Sequence, residues 1–276
     1  MNEFPQIKEI KCRTILSKSG IEGIDYTINP YIGCQHACRY CYAQYMWPWK
    51  NIGLKWGKHI FVKVNALERL NTEIHRIKPW QVVELSSVTD PYQPIERKYQ
   101  LTRRILEKLL NNNVKTIILT KSNLVTRDID IMLENSRNLQ VGLTIITLDE
   151  HFKRAFEPYS PSVKERLSAL EKLSRNGIVT FCFIGPMLPV VTDESLWTLI
   201  DVLENIGVKM LIFDRMNVKW GLNKHLLEII GKNFPDLYEL YEKVFTGGDY
   251  WKYYKSLKND ILNFCEGKSF KVVFCY

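Results

Sequence analysis

Three cysteines are the residues of this chain best placed to do chemistry. Cys34, Cys38 and Cys41 follow the spacing C-x3-C-x2-C, and His36 lies between the first two. A cubane [4Fe–4S] cluster takes one thiolate on each iron, so three closely spaced cysteines would leave the fourth iron open to a substrate or cofactor. The spacing favours such a cluster. A zinc site completed by a further ligand, or thiols with no shared role, remain as alternatives.

The composition indicates a cytoplasmic protein with reduced thiols. The chain has 276 residues, 46% of them hydrophobic, which is enough for one large core or one barrel-sized domain. We expect no membrane partner, because the first residues lack the apolar centre of a signal peptide and no apolar run is long enough to span a bilayer. The cysteines outside the triplet form no C-x2-C pair, so their roles stay open. They are Cys12, Cys182, Cys265 and Cys275.

The charge is uneven along the chain. The net charge is +8, and residues 1–80 carry 12 Lys and Arg against 6 Asp and Glu, so 6 of the 8 excess charges lie in the part that holds the cysteines. Positive potential beside a reactive site would favour an anionic substrate such as nucleic acid. An ordinary basic surface is the alternative interpretation.

Strand-like and helix-like segments alternate, which predicts an α/β fold. The predicted strands are 24–28, 60–64, 81–86, 114–119, 140–146, 178–184 and 209–213. Several are nearly continuous apolar runs, as is typical of parallel strands buried on both faces. Repeated β-α units indicate right-handed crossovers and a partial (β/α) barrel, whose chemistry lies at the carboxyl ends of the strands. Polar motifs, including the cysteines, follow most of these strand ends.

Helix boundaries can also be predicted. Ser162 and Glu165 have capping-box spacing, and Asp193 is a predicted N-cap. We predict a barrel over residues 1–221, with a cluster loop at 33–42, and a C-terminal helical extension over 222–276. The extension is rich in aromatic residues, which either pack a small helical core or stack on nucleobases.

The ordered motifs resemble the radical S-adenosylmethionine (SAM) superfamily, and within it the spore photoproduct lyase-like branch, also called DNA repair photolyase-like. The motifs are Gly33-Cys-Gln-His-Ala-Cys-Arg-Tyr-Cys-Tyr-Ala, Ser86-Ser-Val-Thr-Asp-Pro-Tyr-Gln-Pro, Thr120-Lys-Ser, Arg127-Asp, Phe156-Glu-Pro and Arg166-Leu. The resemblance implies a partial (β/α)6 barrel of the TIM type and a [4Fe–4S] cluster whose open iron binds SAM. It implies reductive cleavage of SAM to a 5′-deoxyadenosyl radical, which takes hydrogen from a substrate. A flavodoxin or ferredoxin would be the electron donor.

The resemblance also assigns roles to single residues. Cys34, Cys38 and Cys41 would bind iron, and Tyr40 would pack near the adenine. Residues at the end of the third strand would contact the methionine amino group of SAM. They are Ser86, Ser87 and Thr89. The two serines could instead simply cap that strand.

Further along the chain the resemblance places four more residues at the cofactor. Lys121 would bind the cofactor carboxylate, and Thr144 would bind the ribose. Glu157 and Arg166 would support this wall of the site. A surface charge, an ordinary strand residue and a structural ion pair are the respective alternatives.

One departure from the lyase pattern bears on the reaction. Spore photoproduct lyases carry a hydrogen-donor cysteine where this chain has Ser86 or Ser87. A hydroxyl O–H bond is too strong for that task, so we expect another substrate or another donor, such as Cys182 or a tyrosine. The predicted substrate is a nucleic acid or nucleotide. A peptide or small metabolite, or a zinc-bearing nucleic-acid-binding module without activity, are the alternatives.

Overall fold

The computed structural model describes residues 5–45 and 54–276, so parts of the predicted barrel region, 1–4 and 46–53, lie outside the described residues. The strands are β1 (Gln6–Ile10), β2 (Leu16–Lys18), β3 (Tyr26–Ile28), β4 (Tyr31–Ile32), β5 (His59–Lys63), β6 (Val82–Leu85), β7 (Lys115–Thr120), β8 (Leu139–Thr144), β9 (Val179–Met187), β10 (Met210–Arg215) and β11 (Lys271–Phe274). The helices are α1 (Ala66–Glu73), α2 (Glu96–Tyr99), α3 (Leu101–Asn111), α4 (Ile129–Glu134), α5 (Glu150–Phe156), α6 (Val163–Arg175), α7 (Asp193–Ile206), α8 (Leu222–Asn233), α9 (Tyr238–Phe245) and α10 (Tyr250–Phe264). Within these ranges no helix is both long and apolar enough to cross a bilayer.

The central sheet confirms the predicted α/β class and partial barrel. Its order is β11-β10-β9-β8-β7-β6-β3-β2, and its strands are parallel except at the β2–β3 pair. The strands β3 and β6 to β10 correspond to six of the predicted strands. Helices lie between successive parallel strands, as right-handed crossovers require. The sheet ends at β2 and β11 without joining them, so the barrel is open.

The strand predicted at 60–64 forms, but it does not belong to the barrel. It is β5, which pairs with β1 and β4 in a separate three-stranded sheet. Its burial alternates, with Ile60 and Val62 buried and Phe61 half-buried, whereas the barrel strands β6 and β8 are buried more continuously. Alternation of this kind is typical of a strand with only one face against the core.

The two faces of the barrel sheet have different environments. On the outer face, Val83, Val141 and Leu211 are fully buried in one hydrophobic core with residues of the surrounding helices. The opposite face, which we call the inner face, carries Glu84, Gly142, Thr144, Phe183 and Ile212; the strand register places them on that side. Phe183 and Ile212 are only half-buried, so the inner face borders a partly open interior.

The predicted start of α6 is confirmed, and that of α7 is wrong. Ser162 Oγ accepts from the Glu165 amide at 3.2 Å, and Glu165 Oε2 accepts from the Ser162 amide at 2.8 Å, which completes the capping box. Asp193 is instead the first residue of α7, after Thr192 as N-cap. Its carboxylate accepts from the Tyr253 hydroxyl at 2.6 Å, so it joins α7 to α10 rather than capping α7.

The segment after residue 221 contains the predicted helices and one strand that sequence reasoning missed. This strand, β11, has four residues and extends the sheet by pairing with β10. Tyr241 and Tyr254 are fully buried, and their hydroxyls donate to the carbonyls of Pro189 and Met187. Most aromatic residues of the segment therefore pack, while Trp251 stays 62% exposed.

Candidate active site

The cysteine triplet lies on a loop at the carboxyl edge of the sheet, directly after β4. Cys34 and Cys38 are buried, Cys41 is half-buried, and all three thiols are free. The loop turns at Gly33 and Ala37, whose φ angles are 87° and 51°. The Ala37 amide donates to the Cys34 carbonyl at 3.2 Å, and the Cys41 amide donates to the Cys38 carbonyl at 3.2 Å. The backbone thus brings the three cysteines to one short turn.

Neighbouring segments fix the conformation of this loop. The Arg39 amide donates to the Phe156 carbonyl at 2.8 Å, which ties the loop to the end of α5. Gly57 packs directly on Ala37, and a Cβ added at Gly57 would collide with the Ala37 Cβ. A side chain there would push against the loop, so glycine is required at 57 by close approach as well as by its φ of 79°.

Gln93 holds the cysteine loop from the other side. Its side-chain oxygen accepts from the Gln35 amide at 2.9 Å, and its side-chain nitrogen donates to the Gly33 carbonyl at 3.1 Å. Thr89 donates to the same carbonyl at 2.5 Å. The structure thus gives Thr89 a bond to the cysteine loop. Gln93 is fully buried, so its bonds compete with no bulk water.

Asp90 joins three of the loops at the carboxyl edge. Its carboxylate accepts from the Thr120 hydroxyl at 2.6 Å and the Lys121 amide at 2.8 Å, and lies 3.4 Å from His36 Nε2. Burial alone would raise the pKa of Asp90, but these partners lower it to about 2. Asp90 therefore stays ionised while buried. Sequence reasoning did not assign it, although its position after a strand was the available signal.

A buried ion cluster forms the wall beside the cysteines. Glu157 accepts a short hydrogen bond from the Tyr40 hydroxyl and pairs with Arg166 at 2.5 Å. Lys121 Nζ lies 4.0 Å from Glu157 Oε1 and 5.5 Å from the centre of the Tyr40 ring. Burial opposes ionisation of Glu157, yet Arg166 and Lys121 lower its pKa. Four predicted cofactor residues therefore lie together, and the Glu157–Arg166 pair exists.

Lys121 brings positive charge to the cysteines. Burial disfavours its charged form, but Cys38 and Glu157 raise its pKa, so it stays protonated. Its side-chain nitrogen makes no hydrogen bond to any residue of the described ranges, because Glu157 is too distant for one. Burial raises the pKa of Cys38 to about 12, so the free thiol keeps its proton near neutral pH. Metal binding would displace that proton.

The remaining predicted residues stand at the ends of β6 and β8. Ser86 has a φ of 71°, and its buried hydroxyl has no hydrogen-bond partner among the described residues. Such backbone strain and an unpaired buried hydroxyl are both typical of functional sites. The Ser87 carbonyl accepts from the Tyr42 hydroxyl at 2.6 Å. Thr144 lies on the inner face, and its carbonyl accepts from Arg166 Nη1 at 3.0 Å.

Two acidic residues near the inner face were not predicted as site residues. Glu84 is 8% exposed, and its Oε2 has no hydrogen-bond partner within the residues that the structure describes. Burial raises the pKa of Glu84 to about 7 and that of Asp214 to about 6. Tyr42 is the residue after Cys41. Burial raises the pKa of Tyr42, and Cys41, Glu84 and Asp214 raise it further, so both carboxylates lie close to this tyrosine. The interior beside the cysteine loop therefore contains carboxyl groups that ionise close to neutral pH.

The substitution Glu84→Gln is expected to stabilise the protein selectively at high pH. The folded pKa of about 7 exceeds the ordinary value of 4.5, so Glu84 costs no stability below pH 4.5 and progressively more as the pH rises to 7. This shift corresponds to a cost of about 3 kcal/mol at pH 8. The free energy of unfolding in urea, compared between variant and original chain at pH 5 and pH 8, measures it. An equal difference at both pH values would show that Glu84 does not titrate abnormally.

Comparison with known proteins identifies the family. The family model described as the Radical SAM superfamily matches residues 28–203 of this chain. The chain belongs to the radical SAM superfamily. An uncharacterised protein of Methanocaldococcus jannaschii is 39% identical over 246 residues, which cover 87% of this chain and 88% of that protein.

Two further similar proteins have names that describe an activity. A protein of Pseudomonas phage M6 named radical SAM Nα-GlyT isomerase is 23% identical over 222 residues, which cover 79% of this chain and 45% of that protein. A structure of a spore photoproduct lyase double mutant with bound AdoMet and dinucleoside spore photoproduct superimposes with a TM-score of 0.73. It is 18% identical, and the match covers 98% of this chain and 82% of that one. The radical SAM partial-barrel fold is therefore shared over nearly the whole chain.

Membership of the radical SAM superfamily implies SAM and an iron–sulfur cluster, and the site fits both. Three free cysteines, a half-buried lysine without a hydrogen bond and an unpaired serine hydroxyl lie at one edge of the sheet. Within the described part of the chain, no three His, Cys, Asp or Glu side chains converge as ligands of a single ion. The three thiolates of such a cluster bind separate irons, so this donor set is compatible with one.

Proposed function

We propose that this protein is a radical SAM enzyme that takes hydrogen from a nucleic acid or nucleotide. One observation carries the proposal: the cysteine triplet lies beside a wall of half-buried Lys121 and buried Glu157 and Arg166 at the carboxyl edge of a partial barrel. That edge is where enzymes of barrel architecture place their chemistry. The non-enzymatic zinc module finds no convergent ligand set among the described residues.

Each residue of the site has a definite task in this proposal. Cys34, Cys38 and Cys41 bind three irons of a [4Fe–4S] cluster and leave the fourth open. A cluster bound there would supply the single electron needed for reductive cleavage of SAM. Lys121 binds the SAM carboxylate with its free N–H groups, and the unpaired Ser86 hydroxyl accepts from the amino group. Ser87 stands beside Ser86 at the same cofactor group.

The walls around the cofactor complete the binding site. Tyr40 packs near the adenine, Thr144 binds the ribose, and the Glu157–Arg166 pair holds Tyr40 and the end of β8 in place. Thr89 acts indirectly, because its hydroxyl is bonded to the cysteine loop. The protein thus supplies position and exclusion of water, while the cofactor supplies the radical chemistry.

Two lines of support favour a nucleic acid or nucleotide as substrate. The first 80 residues carry most of the excess positive charge of the chain, and an anionic substrate would enter an interior next to a positively charged wall. Spore photoproduct lyase, which shares the fold, has been solved with a dinucleoside spore photoproduct. The phage relative is named an Nα-GlyT isomerase, and this name supports an enzymatic activity.

The final hydrogen atom must come from a group other than Cys182. Cys182 pairs in register with Leu143 and Leu211 on the outer face and is fully buried in the hydrophobic core. It therefore points away from the inner face. Tyr42 remains as the tyrosine candidate, because it follows Cys41 and lies near Glu84 and Asp214. We propose Tyr42 for this task, and a low-potential donor of the flavodoxin or ferredoxin type as electron source. One electron from this donor and one proton from solvent would convert the tyrosyl radical left on Tyr42 back to tyrosine.

The decisive experiment follows deuterium from substrate to cofactor product. Anaerobically purified, reconstituted protein is incubated with SAM, dithionite and deuterated oligothymidylate, nucleotides or peptides. We expect 5′-deoxyadenosine that contains deuterium from the nucleic acid or nucleotide. Deuterium from a peptide alone would reject the proposed substrate class. Absence of any SAM cleavage in protein that contains iron would reject the proposed reaction.

The substitution Lys121→Ala is expected to weaken SAM binding about tenfold or more while the iron content is unchanged. A hydrogen bond between charged groups contributes about 1.5–3 kcal/mol, which corresponds to this loss. Equilibrium binding of SAM, with iron analysis of the same samples, measures the effect. Lys164→Ala, at an exposed position on α6, serves as control and should bind SAM normally. Equal affinity in both variants would remove Lys121 from the cofactor site.

A further inference from the structure

Arg215 is held in an aromatic cage at the carboxyl end of β10. Its guanidinium carbon lies 4.2 Å from the centre of the Trp251 ring, 5.8 Å from that of Tyr250 and 5.6 Å from that of Tyr276. A guanidinium near ring faces is attracted by their negative electrostatic potential. Three rings within 6 Å fix its position more firmly than one ring could. The guanidinium is therefore pre-organised before any ligand arrives.

The guanidinium of Arg215 has no acceptor among the residues that the structure describes. Its backbone amide donates to the Asp214 carboxylate at 2.9 Å. By contrast, the guanidinium groups of Arg103, Arg127 and Arg166 each pair with a carboxylate. Arg215 thus keeps five N–H donors in a planar fork, the geometry that suits a phosphate or carboxylate.

The surface around Arg215 combines aromatic rings with positive charge. Trp251 is 62% exposed, so part of its ring faces solvent beside the guanidinium. The helix α10 carries three lysines against one aspartate, and Lys258 Nζ lies 4.7 Å from the Phe274 ring. Exposed aromatic rings next to Arg and Lys are typical of surfaces that bind single-stranded nucleic acid. Burial raises the pKa of Asp214 to about 6, so it is still mostly ionised at neutral pH and its charge opposes an anion here.

This surface is fixed beside the candidate active site. The Tyr250 hydroxyl donates to the Met216 carbonyl at 2.6 Å, and the Tyr254 hydroxyl accepts from the Met216 amide at 3.0 Å. These bonds attach α10 to the carboxyl end of β10. Parallel strands end at one edge of the sheet, so Arg215 and the cysteine loop share that edge. The Asp214 carboxylate is also close enough to Tyr42, the residue after Cys41, to raise the pKa of that tyrosine.

We propose that Arg215 and Trp251 bind the backbone of a nucleic acid substrate at the mouth of the barrel. Arg215 donates two hydrogen bonds to the oxygens of one phosphate, and Trp251 stacks on an adjacent base. The cage prevents the guanidinium from turning away, so little side-chain freedom is lost on binding. This inference rests on the proposed function, because it supplies the site that presents a nucleotide to the cofactor.

The test measures binding of a fluorescent, short single-stranded oligothymidylate over a range of salt concentrations. Arg215→Gln is expected to weaken binding about tenfold or more, and to reduce the slope of log affinity against log salt by about one. Arg215→Lys keeps the charge but not the fork, so its affinity should fall while the slope is retained. Trp251→Ala should lower the affinity with little change in slope, and Trp251→Phe should recover much of it.

A matched control and independent readouts separate the possible outcomes. Arg175→Gln makes the same charge change at an exposed arginine that ends α6, near the opposite edge of the sheet. Equal affinity and slope in the two Gln variants would overturn the proposal, as would absence of oligothymidylate binding by the original chain. Iron content, SAM binding and substrate-free SAM cleavage should be normal in Arg215→Gln. Loss of these in the original chain would instead indicate failure of the proposed reaction.

Discussion

Replacement of Cys38 with alanine is expected to abolish iron binding and SAM cleavage together. Loss of a supporting contact alone typically reduces metal affinity about 10–100-fold, so loss of a direct ligand should exceed that range. Cys38 is buried next to Lys121 and Glu157, and no other cysteine lies on its loop apart from Cys34 and Cys41. Its loss would leave only two ligands for a cluster. Iron and sulfide analysis, absorption spectra and 5′-deoxyadenosine formation under dithionite measure the effect.

The control for this variant is Cys265→Ala. Cys265 follows α10 and precedes β11, so it lies near the amino edge of the sheet, away from the cysteine loop. It should keep its iron and its SAM cleavage. Normal cluster assembly in Cys38→Ala would disprove the assigned ligand set, and zinc in place of iron in both proteins would favour the structural alternative. Since Cys38→Ala removes one small buried side chain, urea unfolding should show that the fold persists.

Replacement of Arg166 with leucine is expected to destabilise the protein by about 3–5 kcal/mol. Removal of one partner of a buried ion pair leaves the other charge without compensation, and such losses are typically of this size. Arg166 is 1% exposed, pairs with Glu157 at 2.5 Å, and donates to the carbonyls of Thr144 and Pro161. Burial disfavours its charge, but Glu157 raises its pKa, so the pair is ionised over the usual range of pH. The free energy of unfolding in urea measures the loss.

Two further variants show whether the isolated carboxylate is the cause. Arg175→Leu, at an exposed arginine with a surface partner at 2.6 Å, should cost less than about 1 kcal/mol. A double variant, Glu157→Gln with Arg166→Leu, should be less destabilised than the sum of the single variants, because the carboxylate that Arg166→Leu isolates is then absent. An additive result would mean that Arg166 acts through its carbonyl contacts alone. SAM binding of the folded variants then reports on the cofactor wall separately from stability.

Residue types, spacing and ordered motifs were sufficient to predict the superfamily and most of the barrel. The C-x3-C-x2-C triplet indicated a cluster because three thiolates match three corners of a cubane, and this depends on a local loop alone. Six parallel strands were predicted because strands buried on both faces give continuous apolar runs. The capping box at Ser162 was also local, since it involves residues three apart.

The tertiary structure decided what lies between segments distant in the chain. Spacing could not show that Asp90 joins His36 to Thr120, or that Gln93 clamps the cysteine loop, because these contacts cross 30 to 60 positions. The pattern of β5 predicted a strand but not its sheet, since alternation specifies one buried face and not the partner.

The two faces of the sheet also separate what the sequence predicted from what the tertiary structure decided. Glu84 and Cys182 both stand in apolar strands, yet register places Glu84 on the inner face and Cys182 in the outer core. Side chains alternate along a strand, so a shift of one residue would exchange those roles. The sequence alone determined which reactive groups this protein has. The pairing of the strands determined which of these groups face the interior, because the strand register decides whether a side chain points to the inner face or to the outer core.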